Sequence, residues 1–178
     1  VYQNKPVFKG LTCAFAPKKW HVVLGESGVG KSSLLRMIAG LPMGDTCVLG
    51  EVVVKGEVSL MAQGQSSGLL PWRTVLQNVM LGDTLRGRAS SASCAKAQQL
   101  LAQVGLSDVA DQSIAGLSGG MAQRVALARV LFEDTPIVLM DEPFSALDIS
   151  TKYKMHELAH GLLKNKTVVM VTHDPLEA

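Results

Sequence analysis

The sequence predicts an α/β fold built around a buried parallel sheet, on three observations. A strand pattern, WHVVL at residues 20–24, runs directly into the glycine loop GESGVGKS at residues 25–32 and then into a helix pattern. Two continuous apolar runs, PIVLM at residues 136–140 and TVVMV at residues 167–171, suit strands covered on both faces. The chain of 178 residues is one domain by size, long enough to bury roughly 70% of its unfolded surface.

Each element follows from its local pattern. Gly25 starts the turn out of the first strand. KSSLLRMIA then reads as a helix with Leu34, Leu35 and Ile38 on one face, stopped by Gly40 and Pro42. CVLGEVVVKGEVSLMA at residues 47–62 is rich in valine and broken by glycines, the pattern of strands joined by turns, so an antiparallel β portion is expected near the start. Residues 69–109 turn helical, with Leu100, Leu101 and Val104 on the helix CAKAQQLLAQV and Gly105 as its stop. GRASSAS at residues 87–93 reads as an exposed loop. After the glycine pair, MAQRVALARVLF is a further helix with Met121, Val125, Ala128 and Phe132 on one face. No repeat, low-complexity tract or linker interrupts the order.

Composition narrows the function classes. Hydrophobic residues make up 47% of the chain, which marks it as globular. No apolar run approaches the roughly 18 residues of a membrane span, and no basic-then-apolar leader is present. A net charge of +2 is too mild for a nucleic-acid surface, so no nucleic-acid partner is expected. Cys13, Cys47 and Cys94 are odd in number and far apart, which argues against a disulfide framework or zinc knuckle and for thiols in a reducing compartment. The chain opens without methionine and is read as open to extension at both ends.

The chemistry begins in GESGVGKS, which fits Gly, four residues, Gly-Lys-Ser and sits between a strand and a helix, as the phosphate-binding loop requires. Backbone N–H groups along Gly25, Glu26, Ser27, Gly28, Val29 and Gly30, continuing into Ser33, can wrap phosphate oxygens at the positive end of the helix. Lys31 is expected on the β- and γ-phosphates and Ser32 on Mg²⁺. In IVLMDEP at residues 137–143, the strand delivers Asp141 to its carboxyl end beside that loop, to hold Mg²⁺ through water. Glu142, one residue farther out, is placed to polarise the water that attacks the γ-phosphate. Alone, such a pair would often be an ordinary acidic turn before proline. LSGGMAQR at residues 117–124 puts the Ser118 hydroxyl and the bare backbone of Gly119 and Gly120 at a helix start, a second phosphate-binding feature in one small chain.

HELAH at residues 156–160 matches the His-Glu-x-x-His zinc pattern. Periodicity opposes that reading, because Met155, Leu158, Ala159 and Leu162 form the apolar stripe and both histidines fall beside it toward solvent. No third ligand stands out except Glu177.

The phosphate loop, LSGGMAQR, IVLMDEP, FSALD and VTHD occur in an order and spacing that resemble the ATP-binding cassette (ABC) ATPases, over nearly the whole chain. The resemblance implies a P-loop NTPase (RecA-like) core with an antiparallel β portion, formed by residues 1–64 and 118–178, and a helical subdomain over residues 65–117. It implies two cassettes facing head to tail, each ATP lying between one chain's phosphate loop and the other's LSGGMAQR, so that this chain carries two half-sites. Ser118 and Gly120 would then contact the partner's γ-phosphate; Met121 stands where the commonest form has Gln. The resemblance further implies that Asp148 links the two sites, that His173 contacts the γ-phosphate, and that Tyr2 stacks on adenine. A glutamine after the strand SLMA would sense Mg²⁺ and the membrane subunit. Gln63 directly follows that strand, whereas counting back from LLPW favours Gln65; the reach of the strand end favours Gln63. LLPWRTVLQNV with LSGGMAQR and DEPFSALD is most similar to bacterial importers of nitrate, sulfonate, taurine and thiamine precursors. Implied partners are a second ATPase subunit, an integral-membrane permease and, indirectly, a substrate-binding protein, at the cytoplasmic face of the inner membrane. Relatives that act on nucleic acid carry a very long coiled coil before the signature, which this chain lacks.

Overall fold

Apolar runs with two buried faces need crossovers that cover both sides, and the fold supplies them. A computed structural model describes residues 7–43, 49–64, 68–145 and 147–177. Its elements are β1 (Trp20–Leu24), α1 (Lys31–Ile38), β2 (Val58–Met61), α2 (Val75–Val79), α3 (Leu81–Leu85), α4 (Ser91–Gln103), α5 (Gly119–Glu133), β3 (Ile137–Asp141), α6 (Ile149–Leu162) and β4 (Thr167–Thr172). The four strands form one parallel sheet in the order β1-β4-β3-β2. The register sets Asp141 of β3 opposite Val171, and Leu24 of β1 opposite Thr172.

Strand periodicity divides the core between the two faces. Val138 and Met140 of β3 and Val168 and Met170 of β4 point into the larger cluster with α5, α2, α4 and α6. Leu139, Val169 and Val171 point the other way, against Leu35 of α1, with Phe15, Val23 and Ile38 around them. The two apolar runs therefore do read as strands covered on both faces. Helix α5 is buried beyond the single face its sequence suggests: Ala122, Gln123, Val125, Ala126, Leu127, Ala128, Val130 and Phe132 are all buried. It lies between the sheet and the α2–α4 layer, so nearly every side of it meets protein.

Caps fix where the helices begin. Ser118 accepts from the N–H of Met121, Asp148 from that of Thr151, and Ser90 from that of Ser93. The Ser90 cap corrects the reading of residues 87–93 as loop, since α4 already starts at Ser91. Thr74 and Gln77 form a capping box at α2. The α4 helix ends as its glycine predicts, with Gly105 at φ 70° and Leu106 N–H donating to Leu101 O at 2.8 Å.

The expected antiparallel β portion does not appear among the described residues. From the valine-rich stretch only β2 is a strand, and it pairs in parallel with β3. Val52 and Val53 are 46% and 67% exposed. Gly50 and Gly56 adopt φ 141° and 132°, which breaks any extended run through them. Tyr2, Cys47 and Gln65 lie outside the described residues. Among the described residues, no helix is long and apolar enough to cross a membrane.

Candidate functional site

All four parallel strands end on one edge, and the turns that leave them bring the predicted residues together there. The loop after β1 starts with Gly25 N–H donating to Thr172 O at 3.2 Å. It closes at Gly30, which caps α1 in the left-handed region at φ 103° and offers no side-chain partner to the first N–H groups of the helix. A Cβ at Gly30 would also crowd the ring of Phe8 at 3.1 Å, so residues 7 and 8 lie against the loop, a contact the sequence did not signal. Glu26, Ser27, Gly28 and Val29 lie along the exposed loop, and Ser33 is partly buried in the first turn of α1.

Lys31 is 7% exposed. Its ammonium folds back over the loop, donating to Gly25 O at 2.8 Å and Glu26 O at 2.9 Å. It also stands 3.6 Å from Glu142 Oε1. Ser32 Oγ donates to Asp141 Oδ1 at 3.0 Å, joining the start of α1 to the end of β3. Burial is the main influence on Asp141; opposed by the Ser32 hydrogen bond and reinforced by the neighbouring Glu142, it raises the carboxyl pKa above its ordinary value. A carboxylate short of stabilising partners beside a hydroxyl is a set of hard oxygen donors, which fits Mg²⁺ completed by phosphate oxygens and water.

Glu142 is the hub. It is 8% exposed and held at φ 45°, a left-handed conformation that costs a non-glycine residue about 1–2 kcal/mol. Glu142 N–H donates to Val171 O at 2.9 Å, and Ser145 Oγ donates to Glu142 O at 3.2 Å, which secure the turn. Gln63 Nε2 donates to Glu142 Oε2 at 3.1 Å, and His173 Nδ1 lies 3.1 Å from the same oxygen. Four segments, each following a different strand, thus converge on one carboxylate. The His173 side chain keeps 47% of its surface open.

Ser118, Gly120 and Asp148 form a second group. Ser118 is exposed at the start of α5. A Cβ at Gly120 would sit 3.4 Å from Leu147 Cδ2 and 3.6 Å from Thr151 Cγ2, so the signature start lies beside the Asp148-capped start of α6. Asp148 is fully exposed, and its carboxyl lies below the ordinary range because it accepts from Thr151.

The HELAH histidines are not both on a solvated face. His156 stacks edge-on against Phe144 at 4.8 Å between centroids, its Nε2 is buried without a partner, and burial lowers its pKa. His160 turns instead to Trp20 at 5.3 Å. The apolar stripe argument missed His156 because Phe144 arrives from the turn after β3.

Sequence reasoning also missed Asn78. It is fully buried, accepts from Leu70 N–H at 2.7 Å and donates to the carbonyls of Leu70, Arg73 and Thr74. This clamp shapes the LLPWRT turn and leaves Trp72 77% exposed.

The family model described as ABC transporter matches residues 8–145. An ABC transporter ATP-binding protein of Haemophilus influenzae is 40% identical over 177 residues, covering 99% of this chain and 73% of that protein. The aliphatic sulfonates import ATP-binding protein of Delftia acidovorans is 43% identical over 97% of this chain and 69% of its own length. The taurine import ATP-binding protein of Yersinia pestis is 39% identical over 99% and 71%. Among solved structures, an inward-facing ABC transporter of the metal-chelate type superposes with a TM-score of 0.85 at 29% identity, over 99% of this chain and 71% of that one. The chain belongs to the ABC transporter family, as an ATP-binding subunit that hydrolyses ATP.

Proposed function

We propose that this chain powers import through a membrane permease, closing as a dimer on ATP and reopening on hydrolysis. The observation that carries the reading is the convergence of Lys31, Gln63 and His173 on Glu142 at the strand edge. Similarity to proteins named for taurine and aliphatic sulfonate import supports the direction of transport. In the division proposed here, residues 1–64 and 118–178 are the RecA-like core and residues 65–117 the helical subdomain. Two copies pair head to tail at the cytoplasmic face, and the permease rests on the surface around Gln63 and the LLPWRT turn. A substrate-binding protein delivers cargo on the far side.

The mechanism uses the chain's own residues. When ATP enters, Lys31 exchanges the Gly25 and Glu26 carbonyls for β- and γ-phosphate oxygens, which releases Glu142 from its nearest cation. Loop N–H groups from Gly25 to Ser33 hold the phosphates, and Tyr2 stacks on adenine. Mg²⁺, held by Ser32 and through water by Asp141 and Gln63, would neutralise charge on the phosphates. Glu142 accepts a proton from the attacking water as the new P–O bond forms and the bond to the β-phosphate oxygen breaks. His173 holds the γ-phosphate in line, and Ser118 and Gly120 of the second copy close on it from outside. Asp148, beside that signature, links the two sites.

The trans role is the part to test. In a Glu142→Gln background, ATP should convert monomer to dimer on a sizing column. Adding Ser118→Arg should block the dimer by bulk and misplaced charge while the monomer binds ATP as before. If Ser118→Arg instead weakens monomer ATP binding as severely as Lys31→Ala does, both glycine motifs serve one site in one chain and the dimer reading is wrong.

A further inference from the structure

The segment carrying His173 is bracketed by a charge network that the hydrolytic site does not use. Lys152, at the end of the first turn of α6, places its ammonium 2.7 Å from Asp174 Oδ2 and 3.0 Å from Glu177 Oε1. Glu177 is 6% exposed, and its other oxygen accepts from Thr172 Oγ1 at 2.6 Å. The same Thr172 hydroxyl accepts from Asp174 N–H at 3.0 Å, and Asp174 Oδ1 accepts from Leu176 N–H at 3.0 Å. The residues on either side of His173 are therefore locked together, and the ammonium that Asp174 and Glu177 share comes from another element. That element is tied to Asp148: Lys152 N–H donates to Asp148 O at 2.8 Å, in the turn that Asp148 caps.

The charges match this role. Burial alone would lower the Lys152 pKa, but Asp174 and Glu177 together outweigh it and hold the ammonium above its ordinary value. The hydrogen bond from Lys152 in turn keeps the Asp174 carboxyl below its own. Without Lys152, the buried Glu177 carboxylate would lose the cation that faces it, and the turn bearing His173 would open to water.

We propose that Lys152 is a positioning residue for hydrolysis: through Asp174 and Glu177 it anchors the turn that holds His173 against Glu142, and it makes the position of that turn depend on the Asp148 end of α6. The inference rests on the γ-phosphate role proposed above for His173. The polar contacts of Lys152 run to Asp174, Glu177 and Asp148.

The test is a mutant cycle on the full chain, reading steady-state ATP turnover, ATP affinity by calorimetry and folding by circular dichroism. Lys152→Met should lower kcat about tenfold or more while KM and ATP affinity stay within about threefold, since the phosphate loop is untouched. Lys152→Arg, which can still reach both carboxylates, should restore kcat to within about threefold of the parent. In a His173→Ala background, adding Lys152→Met should change kcat by less than about twofold, because its effect is already gone. If Lys152→Met costs the same factor in both backgrounds, Lys152 does not act through His173 and the inference is overturned. If His173→Ala alone turns over at the parent rate, the hydrolytic reading of His173 has failed, and the inference falls with it for that separate reason. Should Lys152→Met not fold, Glu177→Gln, which keeps an acceptor for Thr172 but loses the charge facing Lys152, runs through the same cycle with the same two outcomes.

Discussion

Glu142→Gln changes one heavy atom at the hub of the site. The carboxylate has two separate tasks: Oε1 faces the Lys31 ammonium at 3.6 Å, and Oε2 meets Gln63 and His173 at 3.1 Å each. An amide retains one acceptor oxygen and can still hold a water, but it cannot take that water's proton. Losing a positioned base costs roughly 10²–10⁴-fold in rate, or about 2.7–5.4 kcal/mol of barrier. Nucleotide affinity should not follow the rate. No donor on the loop is altered, and Lys31 loses a competitor whose gross attraction at 3.6 Å is about 4–5 kcal/mol at an effective dielectric of about 20, most of it cancelled by the desolvation of both buried ions. The variant should bind ATP as tightly as the parent or a few-fold tighter. Phosphate release at saturating ATP, paired with calorimetric titration and a circular dichroism check, separates the two quantities. Turnover at the parent rate would show that Glu142 is not the base. Affinity and turnover falling by the same factor would show that it holds nucleotide rather than water.

Lys31→Ala should cut ATP affinity about a hundredfold or more, since it removes two charge-assisted hydrogen bonds worth about 1.5–3 kcal/mol each; unchanged affinity by calorimetry in a folded protein would contradict the role of the loop. Asp141→Asn should weaken the Mg²⁺ dependence of turnover and leave the nucleotide-free protein as stable or more stable near neutral pH. The sign follows from burial raising the Asp141 pKa: ionisation costs folding free energy as pH rises from the unfolded value through the folded one, and the amide never ionises. A thermal midpoint for Asp141→Asn clearly below the parent's at neutral pH, with the gap closing at pH about 3 where the parent carboxyl is protonated, would reverse that sign.

The sequence by itself determined the elements whose causes are local. IVLMD and TVVMVT are strands because unbroken β-branched and aliphatic runs suit an environment buried on both faces, and WHVVL extends the same sheet as a half-buried edge strand that ends in an exposed Leu24. GESGVGKS had to be a turn into a helix, and Gly105 had to end one, because glycine there supplies a backbone conformation other residues resist. The same local rule misled at residues 49–57: valines suggested strands, but a strand needs a partner edge, and the described residues offer one only to β2. The motifs and the family they resemble already gathered these residues around the phosphates; tertiary structure decided which of them touch one another. That Gln63, Glu142 and His173, separated by long stretches of chain, share one carboxylate follows from the β1-β4-β3-β2 order and its register. Nothing in their spacing encodes that order. Asn78 looks like an ordinary helix residue until the LLPWRT turn folds over it, and His156 looks solvated until Phe144 covers it. Lys152 looks like one more surface lysine on an amphipathic helix, yet β4 delivers Asp174 and Glu177 to it. Periodicity records which face of an element is apolar; which polar groups must satisfy each other is set by elements distant in sequence, because a buried charge takes its partner from whatever the fold brings within reach.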